Sequence, residues 1–260
     1  MELNLTSKTA VVTGAGRGIG LATVRTLVSE GVRVIGSART ITPELKETGA
    51  LTVSADLSTA DGVAALMAEA HTEFGAVDLL VNNVGGGDDV EPVGFLDTDD
   101  SRWTGVFDIN LLSAVRATRA TLPGLIERRG SIVNVSSINS RLPAAGPVAY
   151  SAAKAALTSL GKSLAEEFGP QGVRVNTVSP GAVRTAIWED PDGFGGKVAA
   201  AAGAEHAAFL AQIPQAFGIT TGRITEPQEV AALIAFLLSD VAGNITGADF
   251  VIDGGTVKAL

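Results

Sequence analysis

The segment YSAAKAALTSL places a tyrosine and a lysine four positions apart, at Tyr150 and Lys154. Residues with this spacing share one face of a helix, so the phenol hydroxyl and the ammonium group can be neighbours. A nearby cation favours the phenolate and lowers the phenol pKa from about 10, which allows proton exchange near neutral pH. The same pair also fits a packed tyrosine beside a solvated lysine. The pattern therefore indicates either a proton switch or ordinary helix packing.

The composition argues against several classes of protein. The chain has 260 residues, of which 46% are hydrophobic, enough for one large α/β domain. Its net charge of −9 disfavours nucleic acid and membrane surfaces as partners. It has no cysteine, and its two histidines, His71 and His206, lack metal-binding spacing, so no metal site is expected. Without an N-terminal leader or an apolar run of ~20 residues, the chain is expected to be cytoplasmic.

Strand-like and helix-like segments alternate along the whole chain. The predicted strands are KTAVVT, VRVIGSA, ALTVSA, VDLLVNN, GSIVNVSS, VRVNTVS and ADFVIDG, each apolar on both faces. Helices are predicted for LATVRTLVSEG and for residues 59–74, about 99–128, 149–169 and 226–239. The alternation predicts the α/β class, with a doubly wound parallel sheet of about seven strands, helices on both faces, and a single domain over residues 1–260.

Residues from about 185 to 223 interrupt this alternation. The segment is longer than an ordinary connection, and its position after a strand predicts a partly helical, mobile lid over an active site. Its large apolar residues either line a substrate pocket or pack the lid onto the body of the protein. They are Trp188, Phe194, Phe209, Ile213 and Phe217.

A glycine-rich turn, GAGRGIG, follows the first predicted strand and begins at Gly14. It matches T-G-x-x-x-G-x-G, whereas the common fingerprint G-x-G-x-x-G would need glycine at Ile19. Glycines let the backbone approach a pyrophosphate, and the helix that follows directs its positive end towards that anion. The turn therefore predicts a dinucleotide site, although a tight turn without a ligand also fits.

The end of the second predicted strand indicates which dinucleotide binds. In NAD sites an acidic residue here contacts the ribose 2′-hydroxyl, but this chain has Ala38 followed by Arg39. A guanidinium group favours a 2′-phosphate, and Arg17 in the glycine turn adds a second positive charge. The prediction is a preference for NADP(H) over NAD(H), with a merely solvated Arg39 as the alternative.

Polar residues stand at the carboxyl ends of the other predicted strands, where ligands bind in such sheets. They are Asp56, Asn82, Asn83, Ser136, Ser137 and Ser179, the last followed by Pro180 and Gly181. Each alone can cap a helix or a turn. Their joint occurrence favours a functional site.

The motifs TGAGRGIG, NNVG, VSS before YSAAK, and SPGAVRT occur in the order found in the short-chain dehydrogenase/reductase family. The chain resembles this family, and its 3-oxoacyl reductases, from KTAVVTG to ITGADFVIDGG. The resemblance implies a Rossmann fold, an enzyme of EC 1.1.1 type, and a catalytic set of Asn110, Ser137, Tyr150 and Lys154. The cofactor contacts that it implies are Gly14, Arg17, Gly18, Ile19, Gly20, Arg39, Asp56, Leu57, Asn83, Gly85, Tyr150, Lys154, Pro180, Gly181, Val183 and Thr185.

The resemblance also implies a role for each catalytic residue. Lys154 would lower the pKa of Tyr150 and hold the nicotinamide ribose, while Ser137 would hydrogen-bond the substrate oxygen. Asn110, at a local break in its helix, would anchor a water that relays protons to Lys154. Tyr150 would then donate a proton to a ketone as NADPH delivers hydride, and oxidation of a secondary alcohol would reverse both transfers.

By the same resemblance, Asp56 would meet the adenine and Thr185 the nicotinamide carboxamide. Val84 replaces the alanine that is usual in the NNAG motif, a small change in bulk. The acidic residues that follow, Asp88, Asp89 and Glu91, either rim the substrate entrance or lie in a solvated loop.

Two other functions stay open at this stage. One is a catalytically idle protein that senses NADP(H), and the other is enoyl reductase or dehydratase chemistry on the same fold. The interval between Ser137 and Tyr150 is that of carbonyl reductases, which favours a small-molecule ketone or alcohol substrate of unspecified identity. Relatives are usually homotetramers, and a homodimer is the alternative. The pairing would use helices about 99–128 and 149–169 and the last strand.

Overall fold

The computed structural model describes residues 2–86, 94–143 and 146–258. Over these residues the chain forms one sheet of seven strands in the order β3-β2-β1-β4-β5-β6-β7. The strands are β1 Thr9–Thr13, β2 Arg33–Ala38, β3 Leu51–Ser54, β4 Leu79–Asn82, β5 Ser131–Val135, β6 Arg174–Pro180 and β7 Asp249–Ile252. Every neighbouring pair is parallel, which confirms the predicted sheet and its seven strands.

Helices connect the strands. They are α1 Gly18–Ser29, α2 Pro43–Lys46, α3 Ala60–Phe74, α4 Asp100–Phe107, α5 Ser113–Arg128, α6 Val148–Phe168, α7 Ala186–Glu189, α8 Phe194–Ala201, α9 His206–Ala216 and α10 Pro227–Leu238. The helix predicted over about 99–128 consists of α4, a π-helical turn over Asp108–Leu112, and α5. The predicted local break near Asn110 is therefore confirmed.

Two layers of apolar packing hold the helices against the sheet. Alternate residues of a strand point to opposite faces, so Val12 packs with α1 and α10 while its neighbour Val11 packs with α3 and α5. Both faces of the central strands are therefore buried, which explains why these strands are apolar throughout. None of the helices in the described part of the chain is long and apolar enough to cross a membrane.

The direction of strand order reverses at β1, which pairs with β2 on one side and β4 on the other. At such a reversal the connections leave the sheet in opposite directions, which opens a crevice above the carboxyl ends of the two central strands. Here those ends are Thr13 and Asn82. The fold therefore directs the glycine turn and the NNVG segment to one place.

The segment from about 185 to 223 contains α7, α8 and α9, so its predicted helical character is confirmed. The Trp188 ring contacts Phe194 at 5.7 Å and Phe217 at 5.5 Å between centroids. Trp188 and Phe209 also pack on a cluster that includes buried Ile213. Four of these five apolar residues therefore pack on one another or on the segments just after β6 and before α10, while Phe217 contacts Trp188 and stays partly exposed. This favours the packing alternative over an open apolar pocket. The predicted mobility stays a prediction.

Candidate active site

In the glycine turn between β1 and α1, the glycine positions leave little or no room for a side chain. Gly14 and Gly18 have φ angles of +65° and +55°, which favour glycine. A Cβ on Gly20 would overlap the carbonyl oxygen of Gly14, and one on Gly14 would lie 2.8 Å from the Val84 Cα. Helix α1 starts here with no acidic residue in its first turn and no side-chain cap. Its N–H groups and this bare backbone fit a pyrophosphate.

Residues that follow β4 hold this turn in place through hydrogen bonds. The Asn83 side-chain amide donates to the backbone oxygens of Thr13 at 2.9 Å and Gly14 at 3.0 Å. In return the Thr13 hydroxyl accepts hydrogen bonds from the backbone of Asn83 and Val84. The sequence predicts Asn83 as a cofactor contact, and in the structure its amide holds the glycine turn in shape. The role of Thr13 was missed, although a hydroxyl at the end of a strand is a usable signal.

The adenosine side of the crevice carries the two predicted arginines. The glycine turn packs on the end of β2, since a Cβ on Gly16 would lie 3.1 Å from the Ala38 Cβ, and the Thr42 hydroxyl donates to the Gly16 oxygen at 2.9 Å. This packing makes the segments that carry Arg17 and Arg39 adjacent. Both arginines are exposed. No carboxylate stands at position 38 to repel a 2′-phosphate.

The loop after β3 holds the predicted adenine contacts. The Asp56 carboxylate accepts hydrogen bonds from the Ser58 hydroxyl at 2.7 Å and the Ser58 N–H at 3.0 Å. These bonds, with a smaller contribution from the charge of Arg39, hold the Asp56 pKa below its usual value. The Leu57 side chain is buried in the core, so a cofactor contact at Leu57 would use its backbone.

Asn110 lies in the π turn and is fully buried. Its side chain donates to the Val106 oxygen at 2.9 Å and the Gly86 oxygen at 3.1 Å, and accepts from the Gly86 N–H at 2.8 Å. These three bonds hold the segment after β4 against the helix. A Cβ on Gly85 would lie 2.8 Å from both the Asn110 Oδ1 and the Lys154 Nζ. Asn110 and Lys154 therefore meet at Gly85.

Lys154 is 3% exposed and donates from Nζ to the Val135 backbone oxygen at 2.9 Å. Removal of water lowers its pKa from 10.5 to about 8. Its Nζ lies 5.7 Å from the centre of the Tyr150 ring, so both side chains share one face of α6 as predicted. Ser136 and Thr158 support this turn of α6: the Ser136 hydroxyl bonds the Lys154 oxygen at 3.0 Å and the Thr158 hydroxyl at 2.8 Å. Thr158 was not predicted.

The pKa of Tyr150 differs from the prediction. The spacing predicts a lowered value, but the surrounding protein removes water from the hydroxyl and raises the pKa above 10. A hydrogen bond with Ser137 opposes this increase without cancelling it. Although part of the side chain is accessible, the ring packs beside Trp103 and Phe107. Burial of the phenol is therefore the dominant cause of the shift.

Ser137 follows β5 and lies at the start of a short 3₁₀ turn, Ile138–Ser140. Its hydroxyl accepts from the Asn139 N–H at 3.2 Å and contacts Tyr150. The Ser140 hydroxyl donates to the Ser137 backbone oxygen at 2.7 Å, which holds the turn. The structure therefore brings together the four predicted catalytic residues around the carboxyl ends of β4 and β5.

The segment after β6 closes the crevice from the other side. Gly181 packs against Asp253, and Val183 pairs with Thr225, so the two ends of the inserted segment meet. A Cβ on Gly18 would lie 3.0 Å from the Thr185 Cγ2, so Thr185 stands beside the glycine turn. Its contact with the cofactor stays a prediction. Pro180 is the last residue of β6. The predicted acidic rim of Asp88, Asp89 and Glu91 lies outside the described residues.

No cluster of three or more metal-ligating side chains occurs within the residues that the structure describes. Of the two histidines, His71 bonds the Gly75 oxygen at 3.0 Å and His206 bonds the Trp188 oxygen at 2.8 Å. Both stabilise local backbone.

Comparison with known proteins gives consistent matches over nearly the whole chain. The family model described as Enoyl-(Acyl carrier protein) reductase matches residues 14–257. The 3-oxoacyl-[acyl-carrier-protein] reductase of Vibrio cholerae is 34% identical over 265 residues, which cover 97% of this chain and 98% of that protein. The 3-alpha-(or 20-beta)-hydroxysteroid dehydrogenase of Mycobacterium tuberculosis is 33% identical, with 100% and 93% covered.

Among solved structures, L-sorbose reductase from Gluconobacter frateurii superimposes with a TM-score of 0.91. The two sequences are 30% identical, and the match covers 100% of each chain. That enzyme was solved in complex with NADPH and L-sorbose.

Proposed function

The chain belongs to the short-chain dehydrogenase/reductase family, and from this membership we propose that it is an NADP(H)-dependent oxidoreductase that interconverts a ketone and a secondary alcohol. The observation that carries the proposal is the convergence at Gly85, where the Asn110 and Lys154 side chains meet beside the glycine turn. A protein that only sensed the cofactor would have no need of a phenol acid at this point. The Tyr150 hydroxyl, in contact with Ser137, provides one.

Each catalytic side chain has a role that follows from its position. Ser137 donates a hydrogen bond to the substrate carbonyl oxygen, and Tyr150 gives that oxygen a proton. Lys154, buried and with a pKa of about 8, holds or releases a proton near neutral pH and can replenish the phenol. Asn110 acts by fixing the Gly85 and Gly86 segment next to Lys154. Bound NADPH would supply the hydride.

The cofactor is NADP(H) rather than NAD(H). Arg17 and Arg39 lie on adjacent exposed segments at the end of β2, and Ala38 occupies the position where an NAD site has a carboxylate. Two guanidinium groups there favour a phosphate on the ribose. The structural relative solved with NADPH supports the same assignment.

The substrate class is a carbonyl compound or the corresponding alcohol. The relatives named above act on a 3-oxoacyl thioester, a hydroxysteroid and L-sorbose, and the matching family model is described by an enoyl reductase. The Ser137–Tyr150 contact favours carbonyl reduction, because a hydroxyl pair of this kind protonates an oxygen. An enoyl thioester is therefore the second substrate type to test.

We extend the proposal to the organisation of the molecule. The whole chain forms one NADP-binding domain, and the segment from about 185 to 223 covers the crevice, since its ends meet beside Thr185 and the glycine turn. A homotetramer is proposed, with a homodimer as the alternative. The exposed small residues Ala155 and Ser159 on α6 leave room for close helix pairing. A cytoplasmic location stays a prediction from the sequence.

The test is NADPH oxidation, followed by absorbance, across a panel of ketones, sugars, 3-oxoacyl thioesters and enoyl thioesters. Wild-type protein and Tyr150→Phe are compared at equal NADPH saturation. We expect turnover on a carbonyl compound that the substitution reduces by at least about 10³-fold, with NADPH affinity retained. Turnover that survives Tyr150→Phe, or turnover on the enoyl thioester alone, would refute the proposed chemistry.

A further inference from the structure

Arg116, on the second turn of α5, joins two separate parts of the proposed site. Its Nη2 lies 3.0 Å from the Asp108 Oδ1, and its Nη1 donates to the Ser58 backbone oxygen at 3.0 Å. The Arg116 and Asp108 side chains are 25% and 27% exposed, so the pair is largely shielded from water. Asp108 begins the π turn that holds Asn110, and Ser58 belongs to the loop after β3.

The π turn is what allows Asp108 and Arg116 to meet. The two residues are eight positions apart. In a regular α-helix eight residues leave two side chains about 80° apart around the axis. A π turn accommodates one extra residue, so the same pair becomes equivalent to about seven residues and lies within about 20° on one face. The ion pair therefore favours the π-helical arrangement over a regular helix.

That arrangement determines where Asn110 points. Asn110 lies between Asp108 and Arg116 in sequence, and from the π turn its side chain makes two hydrogen bonds with the backbone of Gly86. A regular helix would rotate Asn110 relative to α5 by about 100° for the lost residue. The contact between the Gly85 and Gly86 segment and Lys154 would then change.

The second contact of Arg116 fixes the loop after β3. The Ser58 hydroxyl and N–H hold the Asp56 carboxylate, while the Ser58 backbone oxygen accepts from Arg116. Arg116 thereby sets the distance between this loop and the π turn. The predicted adenine contacts and the catalytic end of the site depend on the same side chain.

We propose that Arg116 is a positioning residue that holds the π turn carrying Asn110 and the loop at Asp56–Ser58 in the arrangement needed for cofactor binding and turnover. The proposal rests on the proposed function, because it assigns those two segments to the cofactor and to proton transfer. Arg116 acts through Asp108 and Ser58 and does not itself touch substrate.

Three substitutions separate the two contacts. Arg116→Gln removes the ion pair, and we expect NADPH affinity and kcat each to fall about tenfold, since charge-assisted hydrogen bonds are lost at both segments. Asp108→Asn keeps the bond to Ser58, so kcat should fall while NADPH affinity stays within about twofold of wild type. Arg116→Lys retains a cation that can pair with Asp108 and should recover most of kcat. Arg119→Gln, an exposed position on the same helix, is the matched control.

A double-mutant cycle distinguishes positioning from general loss of stability. In an Asn110→Ala background, Arg116→Gln should reduce kcat by less than about twofold, because the residue through which it acts is already absent. An independent tenfold loss in that background would overturn the proposal. Wild-type behaviour of both Arg116→Gln and Asp108→Asn would also overturn it.

NADPH affinity, measured by fluorescence titration, needs no substrate and keeps this test separate from that of the proposed function. If turnover proved independent of Tyr150, the proposed chemistry would fail, while a weakened affinity specific to Arg116→Gln would still support the structural role. If Arg116→Gln did not fold, Asp108→Asn would carry the test through its effect on kcat alone.

Discussion

Lys154 places a charge where little water reaches it. Burial lowers its pKa to about 8, so between about pH 8 and 10.5 the unfolded chain binds a proton that the folded protein has released. The contribution of Lys154 to the free energy of unfolding therefore becomes more favourable as pH increases across this window. Below pH 8 the full cost of burying the charged ammonium group is present. A shift of this size corresponds to ~3 kcal/mol.

We expect this cost to appear in a comparison with Lys154→Met, which removes the charge. The free energy of unfolding of wild type minus that of the variant should increase by about 3 kcal/mol between pH 7 and pH 10.5. Denaturant unfolding of both proteins at the two pH values measures this difference. A difference that does not change with pH would contradict a lowered Lys154 pKa.

Tyr150 is the sole tyrosine of the chain, so its titration can be observed directly. Since burial raises its pKa, the phenolate absorbance of the free protein should appear with a midpoint above pH 10. Ser137→Ala removes the hydrogen bond that favours the phenolate and should move the midpoint higher still. A midpoint below 10 would show instead that the Lys154 charge dominates.

We expect the charge of Arg39 to contribute to the preference for NADP(H). Arg39→Asp replaces a guanidinium with a carboxylate at the end of β2, and we expect NADPH affinity to fall by about 10- to 100-fold while NADH affinity is unchanged or improved. Arg119→Asp makes the same charge change on α5 and serves as the control. Equal loss in both variants, measured by fluorescence titration, would refute a local role for Arg39.

At the scale of elements, Arg174 shows how the sheet is stabilised at the end where its parallel strands begin. It begins β6, and its guanidinium donates to the backbone oxygens of Leu237 at 2.8 Å, Leu238 at 3.2 Å and Ser239 at 3.0 Å. These carbonyl groups lie at the end of α10, where helical partners are lacking. The Arg174 side chain therefore provides hydrogen-bond donors for the last carbonyl groups of α10 and connects this helix to β6.

Arg174→Met keeps an unbranched apolar side chain but removes the guanidinium donors, which leaves these oxygens without their side-chain partner. We expect the free energy of unfolding to fall by about 3 kcal/mol. NADPH affinity should stay unchanged, because the candidate site lies at the carboxyl ends of the strands, whereas Arg174 lies at the amino end of β6. Arg33→Met provides the comparison: Arg33 also begins a strand, but it bonds one exposed carbonyl oxygen, at Glu73, and stacks on Phe74. Its loss should cost less than about 1 kcal/mol by thermal or denaturant unfolding.

At the scale of the whole molecule, the exposed face of α6 is where assembly is proposed. Ala155 and Ser159 are four residues apart and exposed on one face, and neither is bulky enough to hold a second helix away. A pair of charges introduced there would be buried without partners on association.

We expect wild type to be a tetramer by light scattering after size-exclusion chromatography, and Ala155→Glu/Ser159→Glu to form smaller species. Ala64→Glu/Ala68→Glu places the same charges on an exposed face of α3 and should leave the mass unchanged. A wild-type monomer, or an unaltered mass in the α6 variant, would contradict the proposed assembly.

Local patterns were enough to predict the sheet and much of the candidate site. Strands buried on both faces must be apolar throughout, and the glycines of the first turn are needed wherever backbone approaches backbone, so runs such as KTAVVT and GAGRGIG are informative in isolation. The spacing of Tyr150 and Lys154 also predicts a shared helical face, because residues four positions apart lie on the same side of an α-helix.

What the tertiary structure decided depends on residues that are distant in sequence. The direction of the Tyr150 pKa shift follows from burial of the phenol, whose ring packs beside Trp103 and Phe107 on α4. The link from Arg116 to Asp108 requires the extra residue of a π turn, and its link to Ser58 crosses 58 positions. Burial and long-range hydrogen bonding arise only when the chain is folded, so they cannot be predicted from sequence periodicity.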